Sequence, residues 1–456
     1  MRVLVTGATG LVGRPLVRRL LAAGHEVRVL TRDPEYAELV LPVRCEFFPW
    51  APERGNADPD AFEGLDAIVH LAGESVADGR WTPGHKQSIM RSRTDSTRVL
   101  LGMVGELAEA DRPKTLVSSS AVGYYGDRNE EVLEEESSPG VGFLADVCIA
   151  WEHSVALAED LGLRVVALRT GIVLSGDGGA LARMLPPFRL GIGGRLGNGR
   201  QWMSWIHVED LVSLYMEALT NEALAGPVNA TAPTPVTNAH FTKALGKQLG
   251  RPTFLPTPAL FLQIITGEMS EMLLGGQRVH PAVALAAGFR FDYPDVEGAL
   301  RDLCADFAEE LRSEIWLPAP PDEVFPFFSD AYNLEQLTPD FLEFRVLGTS
   351  TEQLSEGSTI DYRLRVRGVR LKWRSRIDVW DAPRSFVDTQ VKGPYKSWRH
   401  THEFEEFDGG TIVRDVVRYE LPGGVLGAMV GGGFVRGDLG AAWDFRREAI
   451  FDHFDV

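Results

Sequence analysis

Three glycines spaced three residues apart stand in the run Thr6-Gly7-Ala8-Thr9-Gly10-Leu11-Val12-Gly13. That spacing suits recognition of a pyrophosphate by main-chain atoms. Gly7 permits a tight turn, Gly10 lets the backbone approach the phosphates, and Gly13 lets a helix pack close to a strand. The free N–H groups and positive dipole end of that helix would complete the anion site. A second group of residues offers hydroxyls: Ser118, Ser119 and Ser120 in succession, then Tyr124 and Tyr125. At the end of a central strand they would reach a substrate oxygen. Arg32 follows Thr31 where an acidic residue would hold a ribose 2′-hydroxyl; an arginine suits a 2′-phosphate and favours NADP over NAD. Asp33 keeps NAD open, because it would reach the ribose if the strand ended later.

The elements that must position these residues are legible as alternating strands and helices. Val3-Leu4-Val5 reads as a buried parallel strand, and Leu11 to Ala23 as a helix with positions 12, 16, 17, 20 and 21 on one apolar face. His25 to Leu30 is expected as the second strand. Asp66 to Leu71 is another, ending in Ala72-Gly73-Glu74, where small residues let a cofactor lie across the strand ends. Lys86 to Glu109 reads as a long helix from which Arg93 would face the cofactor. Lys114 to Ser118 and Leu163 to Thr170 are further strands, with Gly171-Ile172-Val173 under the expected nicotinamide position. The expected cofactor contacts are therefore Gly7, Thr9, Gly10, Leu11, Val12, Gly13, Thr31, Arg32, Leu71, Ala72, Gly73, Arg93, Ser118 and Val173. The glycine-rich stretch 175–204 would cover a pocket and move, with Arg195 and Arg200 available to an anionic group. Residues 227–305, rich in proline, read as a smaller substrate lobe. His207, near a helix start expected at Leu211, reads as structural.

Composition narrows the classes. The chain has 456 residues and a formal charge of 46 − 64 = −18, with no basic block to offset it, which excludes nucleic acid and anionic membrane as partners. Cys45, Cys148 and Cys304 are odd in number and far apart, against a disulfide framework or structural zinc. No apolar run reaches the ~18 residues of a membrane span. The chain opens on a strand with no signal peptide visible, so a cytoplasmic location is the default expectation. A small-molecule partner is expected, and oligomeric state is left open.

The glycine turn, His70-Leu71-Ala72-Gly73 and the serine strand end resemble an extended short-chain dehydrogenase/reductase. Arg80-Trp81-Thr82, Arg91-Ser92-Arg93, Gly199 to His207 and Leu274-Gly275-Gly276-Gln277-Arg278-Val279 narrow the likeness to the atypical epimerase-like group, over residues 1–305. The resemblance implies a doubly wound Rossmann sheet binding NADP(H). It also implies that Ser120 matches the catalytic serine. One departure stands out. Members that catalyse carry Tyr-x-x-x-Lys on the helix after the serine strand. Aligned on Glu152, those positions here are Leu144 and Cys148, neither able to serve as that acid pair. Tyr124 or Tyr125 would then substitute as the acid, with Tyr125 and Glu74 joining Ser120 as the catalytic candidates.

After residue 305 the pattern changes. A strand over Ser313–Leu317, a helix near Asp322–Ser329 and strand-like runs at 343–350, 358–367, 369–380, 385–392, 396–407 and 411–421 precede a helix expected over Phe434–Phe454. This order, with Gly393-Pro394-Tyr395-Lys396-Ser397-Trp398-Arg399-His400-Thr401-His402-Glu403-Phe404, resembles the START-like, polyketide-cyclase-like helix-grip superfamily over 310–456. That fold class is α+β and implies a cavity for an apolar ligand, which Trp373, Trp380, Tyr395, Trp398 and Trp443 would line. Leu439, Ala442, Trp443, Phe445, Ile450 and Phe454 are expected to pack inward, and Met429–Gly433 to form a flexible mouth. His400 and His402 share a strand face, but two histidines are too few for zinc, so no metal is expected. The whole reads as an NADP-dependent oxidoreductase or epimerase-like protein with a fused apolar-ligand domain. The alternative is a non-catalytic NADP-binding sensor or ligand carrier.

Overall fold

In the first unit, strands buried on both faces alternate with helices, as a sheet covered on two sides requires. A computed structural model describes residues 1–305, 309–366, 368–421 and 424–454. The chain divides into two compact units, residues 1–305 and 306–456. The strands of the first are Arg2–Thr6 (β1), Glu26–Thr31 (β2), Glu46–Ala51 (β3), Ala67–His70 (β4), Thr115–Ala121 (β5), Arg164–Thr170 (β6) and Gly226–Ala230 (β7). They lie in the order β7-β6-β5-β4-β1-β2-β3 and are all parallel; the short strand Asn56–Ala57 adds an antiparallel edge beyond β3. The winding reverses between β1 and β4. An open parallel sheet leaves its ligand crevice at such a point, outside the carboxyl ends of the strands.

Helices cover both faces. Leu16, Val17 and Leu20 of Gly13–Ala22 (α1) bury with one face of the sheet. On the other face Val99, Leu100 and Val104 of Pro83–Glu106 (α2) meet Trp151 and Val155 of Phe143–Ala156 (α3). Val208–Thr220 (α4) packs on the α1 side through Leu211, Leu214, Tyr215 and Ala218. Three boundaries differ from expectation. Helix α2 begins at Pro83 because Thr82 caps it, accepting from the His85 amide at 3.2 Å. Helix α4 begins at Val208, directly after His207. Strand β5 runs on to Ala121, so the three serines lie within it. Strands β3 and β7, both near the sheet edges, are not predicted from the sequence; β3 tolerates Pro49 there. Within the stretch 175–204, residues Gly179–Arg189 form a helix, not a mobile cover.

The second unit is a seven-stranded antiparallel sheet: Glu309–Leu317 (β8), Arg345–Thr349 (β9), Thr359–Val366 (β10), Val369–Asp381 (β11), Ser385–Lys392 (β12), Ser397–Phe407 (β13) and Gly410–Glu420 (β14). Its order is β8-β14-β13-β12-β11-β10-β9. Phe325, Phe327 and Phe328 of Pro321–Ser329 (α5) meet Phe386, Phe404 and Ile450 in its core. The last helix, Gly424–His453 (α6), starts earlier than expected and includes 429–433, so that segment is helical. Phe445, expected to point inward, is exposed; Arg446 beside it is buried. Helical spacing from Trp443 and Ile450 places Arg446, not Phe445, on the inner face.

Candidate functional site

The turn after β1 is built by close backbone approach. Gly7 has φ +68°, and a Cβ on it would lie 2.8 Å from the Leu71 carbonyl carbon and 2.9 Å from the Ala72 nitrogen. A Cβ on Gly13 would lie 2.4 Å from the Gly7 oxygen, so only glycine admits this helix start. Gly10 closes the turn by donating its amide to the Gly7 oxygen at 3.0 Å, and it is exposed. Beneath the turn, Thr6 Oγ1 accepts from the Ala72 amide at 3.2 Å and pairs with His70 Nδ1 at 2.8 Å. His70 Nε2 lies 3.2 Å from the Thr97 hydroxyl. Burial, with the Arg93 charge adding to it, pulls His70 down to about 4, so the imidazole is neutral. This clamp joins β1 to β4 at the winding reversal. Leu11 and Val12 are half-buried on the turn, and Cβ atoms on Gly178 and Gly179 would meet Leu11 at 3.2 and 2.8 Å.

At the end of β2 the two candidates separate. The Asp33 carboxylate accepts from the Tyr36 amide at 3.0 Å and so caps the short helix Pro34–Val40. Arg32 is exposed and pairs with no carboxylate among the described residues. Arg14, which the sequence did not single out, donates to the Thr9 carbonyl and to the Tyr36 hydroxyl, each at 2.8 Å. It ties the glycine turn to the helix that follows Arg32.

Arg93 stands beside the end of β4. A Cβ on Gly73 would lie 3.2 Å from its guanidinium carbon, and that group sits 5.0 Å from the Trp151 ring. It donates to the Ile89 carbonyl at 2.9 Å and forms no ion pair among the described residues; burial draws its pKa below the ordinary arginine value. Leu144 and Cys148 press on the turn after β5, where a Cβ on Gly123 would meet Leu144 Cβ at 3.2 Å and Cys148 Sγ at 3.6 Å. Burial, then the Glu152 charge, push the Cys148 thiol up to about 12, so it stays protonated.

The hydroxyls of β5 do not converge on the crevice. Ser118 is fully buried and donates to the Ser119 carbonyl at 3.1 Å, which leaves it no surface for a cofactor. Ser119 pairs with Tyr215 at 2.6 Å. Ser120 donates to Glu152 Oε1 at 2.6 Å, and Arg169 grips the same carboxylate with two bonds of 2.9 and 2.8 Å. Arg169 also donates to the Tyr125 hydroxyl at 2.9 Å, and Tyr125 donates to Asn229 at 2.7 Å. Tyr125 is 0% exposed and burial raises its pKa, so the expectation that it is the acid is corrected: its proton is committed inside the fold. Tyr124 differs. It is half-buried, its ring carries the Arg169 guanidinium at 3.6 Å, and its hydroxyl makes no hydrogen bond among the described residues. Glu74 is held by Ser88 and by His85 at 3.4 Å, on a loop whose Arg80 donates to the Ile264 and Ile265 carbonyls at 2.9 and 3.0 Å.

An apolar wall lines this side. Trp81, Ile89 and Val147 are buried against the partly exposed Val76, Met90, Phe143, Leu144, Met269 and Met272. Val173 is half-buried in a short strand beside Ile206. Arg195 and Arg200 are exposed and do not converge on any described partner. The signature pieces 199–207 and 274–279 hold each other: Ser204 donates to the Gln277 carbonyl at 2.7 Å and accepts from the Val279 amide at 2.9 Å. His207 is a cap, accepting from the Glu209 amide at 3.1 Å.

In the second unit the expected aromatics sit in the sheet's inner layer: Trp373 meets Tyr362, Tyr395 and Trp398 at 5.6, 5.4 and 5.1 Å, and Trp380 meets Phe325 at 5.3 Å. Beside them the strands assemble a polar cluster that sequence reading missed. Strand register sets Asp388 opposite His400, and His402 opposite Asp415. The two imidazole centroids are 3.8 Å apart, with Trp443 5.6 Å from His400. Arg446 approaches Asp415 at 3.7 Å.

Known proteins place these arrangements. Residues 3–230 match the NAD dependent epimerase/dehydratase family, 257–303 a domain of unknown function (DUF1731), and 317–445 the family described as polyketide cyclase / dehydrase and lipid transport. The epimerase family protein Mb2239 of Mycobacterium bovis is 43% identical over 299 residues, 65% of this chain and 96% of that protein. The chloroplastic epimerase family protein SDR39U1 homolog of Arabidopsis thaliana is 43% identical over 302 residues, 66% of this chain and 86% of its own. The crystal structure of human epimerase family protein SDR39U1 with NADPH superposes with a TM-score of 0.60 at 33% identity, covering 67% of this chain and 100% of that one. No helix among the described residues is long and apolar enough to cross a membrane.

Proposed function

The chain belongs to the NAD-dependent epimerase/dehydratase family, and on that premise we propose that residues 1–305 bind NADP(H) and carry out oxidoreductase or epimerase-like chemistry on an apolar small molecule. The observation that carries the reading is the crevice at the winding reversal: a glycine cradle that side chains would fill, with Arg32, which pairs with no carboxylate among the described residues, at the end of β2. The residues present fit the cofactor. The turn from Gly7 to Val12 and the start of α1 would hold the pyrophosphate, Arg32 the 2′-phosphate, and Leu71, Ala72 and Gly73 the span across the strand ends. Arg93 would supply the cation that the lysine supplies in relatives with Tyr-x-x-x-Lys. When bound, the cofactor supplies or accepts hydride. The wall of Trp81, Met90, Phe143, Leu144 and Met272 supports an apolar substrate. The second unit would hold an apolar ligand, as the family it matches suggests. A cytoplasmic location is part of the same proposal.

Tyr124 is the proton donor in this reading, in place of Tyr125. Ser120 acts through Glu152, and Glu74 is the remaining acid at the loop. The test is NADPH oxidation against a carbonyl panel. Tyr124→Phe should lower kcat about 100-fold with NADPH binding unchanged, while Tyr125→Phe should chiefly lower stability. Equal activity in wild type and Tyr124→Phe would refute the assignment. The second reading, a non-catalytic NADP-binding sensor or carrier, rests on Leu144 and the neutral Cys148. Tight NADPH binding with no turnover of any carbonyl would favour it.

A further inference from the structure

We propose that the second unit binds one divalent transition-metal ion through Asp388 Oδ2, His400 Nδ1 and His402 Nε2. One oxygen and one nitrogen from each imidazole form this set, and the three ligand atoms lie within 4.8 Å of one another. Asp388 Oδ2 stands 3.7 Å from His400 Nδ1 and 3.6 Å from His402 Nε2. Those separations exceed hydrogen-bond length. They match the edge of a coordination shell: two ligands each about 2.0–2.1 Å from a tetrahedral ion are about 3.4 Å apart.

The far side of the rings supports the same assignment. Asp415 Oδ1 lies 3.2 Å from His400 Nε2 and 2.6 Å from His402 Nδ1. That carboxylate hydrogen-bonds the outward nitrogen of His400 and lies against the outward nitrogen of His402, which makes no hydrogen bond among the described residues. A carboxylate behind a ligating histidine fixes the tautomer, placing the proton on the far nitrogen and the lone pair on the near one. The His400 Nδ1 lone pair is thereby aimed at the Asp388 side, and His402 Nε2 faces the same carboxylate at 3.6 Å. Arg446 stands on the other edge of Asp415, 3.7 Å away, where it offsets that charge without approaching the ligand face.

Charge and access agree. Asp388 and Asp415 share a mostly buried site with Arg446, which stands on the Asp415 side, so a cation between Asp388 and the imidazoles would meet an unshared carboxylate. The histidines are buried, but Asp388 keeps 15% of its side chain exposed, so an ion and an exchangeable fourth ligand have a way in. Two histidines and one carboxylate with an open position suit Zn²⁺ or Fe²⁺ and related ions, not Ca²⁺ or Mg²⁺. A metal held this way would polarise a carbonyl or bound water of whatever ligand occupies the unit. The inference does not rest on the proposed reaction of the first unit.

The experiment uses the tag-free full chain, stripped with chelator and titrated with Co²⁺, whose visible d–d bands report nitrogen–oxygen coordination. Bands should saturate at about one ion per chain and vanish on adding Zn²⁺. His402→Ala and Asp388→Ala should abolish them, and Asp415→Asn should weaken Co²⁺ binding about 10–100-fold with the bands retained. Wild-type protein that is folded by circular dichroism yet gives no bands overturns the proposal, whatever the variants do. So do bands that survive both His402→Ala and Asp388→Ala, since the ion would then lie elsewhere.

Discussion

The two units place their polar chemistry on different parts of a strand. In the first, the proposed cofactor site lies beyond the carboxyl ends of parallel strands and is largely backbone: a Cβ on Gly7 or Gly13 would run into main-chain atoms. In the second, the polar cluster lies in mid-strand and is made wholly by side chains: Asp388, His400, His402 and Asp415 project from three adjacent strands onto one inner face. A parallel sheet covered on both sides keeps its strand middles apolar, so polar function moves to the ends. An antiparallel sheet closed by one long helix has an interior face where a polar cluster can be enclosed, provided that each member is paired. The first unit holds its own enclosed network, Ser120–Glu152–Arg169–Tyr125–Asn229, but that network braces the ends of β5, β6 and β7 and presents no convergent lone pairs.

The sharpest way to break this comparison is at the glycine turn. Gly13→Val drives a side chain into the Gly7 carbonyl and should lower NADPH affinity at least about 100-fold by fluorescence titration, while leaving Co²⁺ binding intact. Retained NADPH affinity would show that backbone approach is not what makes the first site. Next comes the buried ion pair. Arg169→Met leaves Glu152 without its cation and should cost about 3–5 kcal/mol in chemical denaturation of the first unit. Arg169→Met combined with Glu152→Leu should recover most of that, because no charge is then stranded. No recovery would mean that the pair also positions Ser120 and Tyr125.

The His70 clamp makes a smaller, pH-dependent prediction. His70 has its folded value at about 4, below the ordinary 6.5. Above 6.5 neither state is protonated there, and its contribution is fully present. As pH falls from 6.5 toward 4 only the unfolded state takes up the proton, so stability declines, by about 3 kcal/mol at the lower limit. Denaturation midpoints measured across that window should show the slope in wild type and a shallower one in His70→Asn. The smallest effect sharpens cofactor choice. Arg32→Ala should reduce the preference for NADPH over NADH about 10-fold, the worth of one charge-assisted contact at an exposed site. An unchanged preference would shift the 2′-phosphate to Arg14.

Both folds were legible because their signals are periodic and local. Buried strands such as Val3–Val5 and alternating ones such as Thr359–Val366 show their period within a few residues, and the strands of the second unit fall within about two residues of expectation except β8, which begins four residues earlier. What escaped were edge strands such as β3, where Pro49 masks the pattern, and the helix inside a glycine-rich stretch, Gly179–Arg189. Within the candidate site, Asp33 is ambiguous in sequence, and its cap bond to the Tyr36 amide is visible only in the structure. Tyr124 and Tyr125 are neighbours in sequence with different fates: Arg169 stacks on the Tyr124 ring but donates to the Tyr125 hydroxyl, and the Tyr124 hydroxyl makes no hydrogen bond among the described residues.

The amino-acid sequence by itself determined the order of elements, the glycine cradle and the change of architecture near residue 305, since each is written in adjacent residues. Tertiary structure alone decided which hydroxyl is free, which arginine is buried, and that Asp388 and Asp415 flank His400 and His402. Those facts depend on register between strands and on the rotation of α6. Register pairs residues 12 or 13 positions apart, Asp388 with His400 and His402 with Asp415, where no local spacing records the meeting.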